Sequence, residues 1–117
     1  MLVGIGGFAG SVARYGVKII TDRYLPDTFP FATFFINISG AFIIGLLYGM
    51  LLRNQVSDGA WLVMATGFCG AFTTFSTFAL ENNMLIMEKQ SSTALVYTLL
   101  SLVVGLLLCR LGIYLTR

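Results

Sequence analysis

The sequence contains no histidine. That removes the commonest general base, the commonest metal ligand and the usual pH sensor at once. Charge is scarce as well: 10% of the residues are Asp, Glu, Lys or Arg, where a soluble domain carries roughly a quarter. Seven basic against five acidic residues leave a net charge of +2, spread along the chain. A nucleic-acid surface needs a concentrated basic patch, so that partner is excluded. Only two cysteines occur, Cys69 and Cys109, both in apolar segments and without CxxC spacing. They read as small buried residues, not as a disulfide or a metal site. Gly4-Ile5-Gly6-Gly7-Phe8-Ala9 matches a dinucleotide fingerprint in letters alone, because no strand precedes it and no βαβ unit surrounds it. No catalytic constellation remains, and the chain is not expected to be an enzyme.

What is abundant is apolar surface. Of 117 residues, 57% are hydrophobic, more than a small water-soluble fold can hide. The spacing predicts an all-α membrane protein, a single domain over 1–117 with four spanning helices at about 2–20, 31–52, 60–87 and 93–115. Thr21 to Asp27 with Pro30, then Arg53 to Gly59, then Glu88 to Ser92 supply the polar and turn-forming connectors. The first segment lacks the basic leader of a secretory signal, since Arg14 and Lys18 follow its apolar stretch. It therefore reads as a first span. An even number of spans puts both termini on one side of a multi-pass protein.

Orientation should follow the excess of Lys and Arg in cytoplasmic loops. Arg53, Arg110 and Arg117 fall on the side of the termini, and Lys18, Arg23 and Lys89 on the other. The balance is even. Either something else sets the orientation, or the chain inserts both ways. The second reading is preferred and predicts a dual-topology, antiparallel homodimer, the two-chain counterpart of a transporter's inverted repeat.

Small residues form candidate packing stripes: Gly6 and Gly10, continued by Arg14 and Lys18, and then Asn37, Ala41, Gly45 and Gly49. The stretch Gly67 to Phe78 is unusual for mid-span. Two glycines three apart precede a run of hydroxylated and aromatic residues, all middling helix formers. A break in the third helix fits this run, with continuous helix the alternative. Irregular backbone at membrane depth is tolerated only where it is buried in protein or lines a watery cavity. Phe72, Phe75 and Phe78 recur every three residues. They are core packing, or else they present electron-poor ring edges to an anion. Asn37 is either glue between helices or a neutral donor lining a pore, where attraction must stay moderate so that ions can leave. Tyr97 and Ser101 share a face at i, i+4 and could extend a donor track or simply pack. Arg14, inside the first span, either snorkels or sits in an aqueous vestibule. Glu81 lies in a vestibule or near a helix end.

Three ordered motifs together resemble the CrcB, or Fluc, family of fluoride channels. Gly6-Gly7-Phe8-Ala9-Gly10 through Arg14-Tyr15 is similar to the family's GG-x-x-G-x-x-x-RY. Thr33 to Gly40 is similar to its T-x-x-x-N-x-x-G. Gly67 to Phe78 is similar to its G-x-x-GG-x-TTFSTF, with Ala71 in place of a frequent glycine. The resemblance covers essentially the whole chain. It implies passive, fluoride-selective export that lowers cytoplasmic fluoride toxicity, from an antiparallel homodimer in the cell's inner (plasma) membrane. It implies that Asn37, Phe75 and Phe78 line the fluoride pathways, that Thr77, Tyr97 and Ser101 contribute a polar track, and that Arg14 lies near the pore entrance. It implies a structural sodium ion held by backbone carbonyls of Gly70 and Thr73. The principal rival is a small multidrug-type, proton-coupled exporter of organic cations. Such exporters depend on a membrane-embedded carboxylate in the first span, and residues 2–20 contain none.

Overall fold

A computed structural model describes all residues 1–117. It is entirely helical: α1 (Leu2–Tyr24), α2 (Phe31–Leu52), α3 (58–72), α4 (Phe75–Met87) and α5 (Ser91–Thr116). The connectors stop the helices for local reasons. Pro26 disfavours helical backbone at Leu25, which is extended at φ −120°, ψ 147°. Asn54 and Lys89 take left-handed backbone, φ 56° and 62°, just past the ends of α2 and α4. Ser57 opens α3 by accepting the Ala60 N–H at 3.1 Å. The helices outrun the sequence expectation slightly: α1 continues past residue 20 to Tyr24, and α5 spans 91–116.

Glycines set which helices touch. A Cβ on Gly6 would run into the Val63 carbonyl and one on Gly10 into the Phe68 carbonyl. These contacts rise together along both chains, so α1 packs parallel to α3. Likewise Gly45 lies against the Cys109 backbone and Gly49 against Thr116, so α2 runs parallel to α5. Within the membrane no hydrophobic force separates helix from lipid, and close backbone approach supplies the attraction instead.

The bundle measures 48 × 28 × 23 Å, and its long dimension is close to a bilayer with its headgroups. Only 18 of 117 residues are buried, while Phe8, Leu106 and Leu107 stand largely exposed. In water this surface would not be tolerated; it suits lipid or a second subunit. Three helical segments are long and apolar enough to cross a membrane: Phe31–Leu52, Asp58–Met87 and Ser91–Thr116. The chain is thus a multi-pass membrane protein. Helix α1 is long enough at 23 residues, but Arg14, Lys18, Asp22 and Arg23 make it less apolar than the other three.

Candidate functional site: a broken helix between two cavities

The segment that is chemically odd in sequence is also odd in backbone. Leu62–Cys69 is wound as π-helix, and Gly70–Phe72 makes one α-helical turn. The chain then extends at Thr73 (φ −80°, ψ 161°) and Thr74 (φ −151°, ψ 125°) before α4 begins. The break expected over Gly70 to Thr73 therefore lies at Thr73–Thr74, while Gly70 to Phe72 stays helical.

The reason is a side chain from another helix. Asn37 on α2 donates Nδ2–H to the Thr74 carbonyl at 3.0 Å and accepts the Thr74 N–H on Oδ1 at 2.9 Å. An amide can satisfy a peptide's donor and acceptor together, so the Thr74 peptide leaves the helical ladder at little cost. The Thr74 hydroxyl then caps α4, accepting the Thr77 N–H at 3.3 Å and donating to Thr77 Oγ1 at 3.2 Å. Four carbonyls, those of Gly70, Ala71, Phe72 and Thr73, lose their usual donors, which lie four residues on. Thr74 N–H would have served Gly70, and Thr77 N–H would have served Thr73.

Arg14 reaches the same place from α1, donating Nε–H to the Ala71 carbonyl at 3.1 Å. No cation lies near the break in sequence; α1 brings one. Gly40 on α2 allows the approach, since a Cβ there would collide with the Thr73 methyl.

Cavities flank the break. One, of about 290 Å³, is bordered by Arg14, Lys18, Thr33, Thr74 and Thr77, a lining rich in cations and hydroxyls. The other, of about 430 Å³, is bordered by Asn37, Ala41, Gly70, Thr73 and Phe75. Phe75 is 79% exposed, with its ring centroid 6.0 Å from that of Phe78. Phe78 turns inward against Tyr97 at 5.0 Å. Tyr97 is fully buried, and its hydroxyl donates to Glu81 Oε1 at 3.0 Å. Ser101 Oγ is buried without a partner.

The structure thus gathers Arg14, Asn37, Thr73, Phe75 and Thr77 around the break, with Gly70 a turn away. Phe78 and Tyr97 form a second group beside it, and Ser101 lies one turn further along α5. The Tyr97 hydroxyl, expected in the donor track, is engaged by a carboxylate.

A family model described as CrcB-like protein, Camphor Resistance (CrcB), matches residues 1–113. The chain belongs to the CrcB family. Among its relatives is a protein of Gloeothece citriformis named fluoride-specific ion channel FluC, 40% identical over 117 residues, covering 100% of this chain and 95% of that one. A Bacillus cereus protein named fluoride-specific ion channel FluC 2 is 43% identical over 115 residues, covering 98% and 94%. Another FluC 2, from Clostridium acetobutylicum, is 37% identical over 116 residues, covering 99% and 96%.

Within this CrcB chain, sequence reasoning missed three contributors. Thr74 is the pivot of the break, and its signal was a hydroxyl placed three residues before Thr77, the spacing of a helix cap. Glu81 had no readable role until Tyr97 met it. Asn82 accepts from the Thr98 hydroxyl at 2.9 Å, a second polar tie between α4 and α5. That pairing spans 16 residues of sequence and leaves no local signature.

Proposed function

We propose that this chain is the subunit of a passive, fluoride-selective channel in the cell's inner membrane. The observation that carries the reading is the break at Thr73–Thr74, held open by Asn37 between a cationic, hydroxyl-lined cavity and a groove bordered by the Phe75 ring. Neutral donors and ring edges attract an anion without trapping it, as permeation requires. The names of the relatives supply the ion.

In this reading Arg14 draws fluoride into the entrance cavity. The free hydrogen of the Asn37 amide, the Thr77 hydroxyl and the edges of Phe75 and Phe78 then carry it along the pathway. Ser101, whose buried hydroxyl lacks a partner in the chain, continues the track beside Tyr97. The active unit is an antiparallel homodimer of four-span subunits, with both orientations present in one membrane. The exposure of Phe75 supports a dimer, because a pathway needs a second wall where the single subunit offers none.

A structural sodium ion fits the same site. The Thr73 carbonyl accepts no hydrogen bond within the chain, Gly70 borders the groove beside Thr73, and both carbonyls have lost their helical donors. Hard oxygens suit a small hard cation. Gly70 and Thr73 of each subunit would hold the ion, which would supply positive charge to carbonyls buried in the dimer.

The decisive experiment is anion efflux from liposomes carrying the purified protein. Fluoride should leave rapidly and chloride should not. Equal rates for the two anions would refute the reading.

A further inference from the structure

Helix α5 carries a cation that the channel reading does not use. Arg110 lies inside the helix, six residues before Thr116, and its side chain is exposed. The chain's one ion pair joins Lys18 to Asp22, so Arg110 has no internal partner. A lone cation within a spanning helix is costly and calls for a counter-charge.

Its neighbours on the helix surface define what could provide one. At 100° per residue, Tyr114 and Arg117 lie within about 40° of Arg110, and Val103, Leu106 and Leu107 lie within about 60° on the two turns before it. All three of those apolar side chains are exposed, Leu106 at 71%, and Tyr114 is 68% exposed. The stripe therefore changes from aliphatic to cationic within about 10 Å of helix, with Tyr114 between the two cations, where rings favour the membrane–water interface. The acids sit elsewhere. Asp22, Asp27, Glu81 and Glu88 all belong to the opposite end of the bundle, and Asp58 alone shares the end that holds Arg53, Arg110 and Arg117.

We propose that this stripe binds an anionic phospholipid, its headgroup phosphate held by Arg110 and Arg117 beside Tyr114, and its acyl chains lying along Val103, Leu106 and Leu107. An apolar run that ends in two unpaired cations complements a phospholipid along its length. A protein surface would have to bring both apolar side chains and carboxylates to the same depth.

The test uses the full-length protein in mixed micelles of equimolar phosphatidylglycerol and phosphatidylcholine, with bound lipid read by native mass spectrometry. Phosphatidylglycerol should be retained preferentially. Arg110→Gln should weaken its retention about fivefold, and Arg110→Gln with Arg117→Gln about thirtyfold, whereas Arg110→Lys should keep most of it. Raising the ionic strength should erode the preference in the unmodified protein, a measurement that stands even if the double variant fails to assemble. Equal retention of the two lipids by the unmodified protein would overturn the proposal, as would a salt-independent preference or full retention by the double variant. So would efficient cross-linking of Leu106→Cys to a second copy, which would give the stripe to the dimer interface.

Discussion

Asn37 does two things with one amide. Its oxygen and one of its amide hydrogens hold the Thr74 peptide, at 2.9 and 3.0 Å, leaving a single hydrogen free for an anion. Asn37→Asp removes that hydrogen and also sets a carboxylate against the Thr74 carbonyl. We expect fluoride efflux to be abolished, with the fold destabilised by about 1–3 kcal/mol for the backbone group left unpaired. Liposome efflux and thermal unfolding in detergent check the two halves separately, and wild-type values in both would remove Asn37 from the site. The two phenylalanines should separate in a similar way. Phe75 is exposed and Phe78 packs on Tyr97. Phe75→Ile should therefore slow efflux at little cost in stability, since its one ring contact is the pairing with Phe78. Phe78→Ile should slow efflux and also cost about 0.5–1.5 kcal/mol from the lost ring pairing.

At the scale of elements, α4 is the half-helix that carries both rings, and little apolar packing fixes it. Leu85 is its only buried residue. Its position rests on the Thr74 cap at one end, on Leu85 and Phe78 against Ala94 and Tyr97 of α5, and on two polar ties to α5, Tyr97–Glu81 and Thr98–Asn82, about two turns along. Thr74→Val removes the cap and should destabilise the helix by about 1 kcal/mol. Thr74→Ser keeps the oxygen and should restore both stability and efflux. Equal behaviour of the two variants would show that the hydroxyl does not set α4. Tyr97 also bears on the proposed donor track. Because its hydroxyl is bonded to Glu81, Ser101 is the freer donor on that face.

At the scale of the whole molecule, the balance of Lys and Arg on the two sides removes the usual determinant of orientation. A single introduced cysteine at a terminus, in a background free of Cys69 and Cys109, should be labelled by an impermeant reagent from both faces of the membrane. Label from one face only would exclude the antiparallel dimer. Sodium offers a further check at this scale. An ion held only by the assembled dimer stabilises it by mass action, so prolonged exchange of sodium for a bulky organic cation on both sides should lower dimer stability. An unchanged dimer would leave the Gly70 and Thr73 carbonyls without that role.

Local composition was sufficient for the membrane class, the approximate helix limits and the region of the break. Those properties follow from short-range physics: apolar length against bilayer thickness, proline and turn residues at helix ends, and hydroxylated and aromatic residues that propagate a helix poorly. Glycine spacing also marked the faces that pack, since Gly6 and Gly10, and Gly45 and Gly49, recur at four residues wherever they meet a neighbour. Gly67 to Phe78 showed that a helix would be interrupted but not where, because the interruption falls where a partner can take over the backbone's hydrogen bonds. That partner is Asn37, 37 residues away from Thr74, with Arg14 on Ala71 across 57. Glu81 meets Tyr97, and Asn82 meets Thr98, only because α4 folds back along α5. Such pairings depend on how helices are placed against one another, and close backbone contact at the glycines decides that placement.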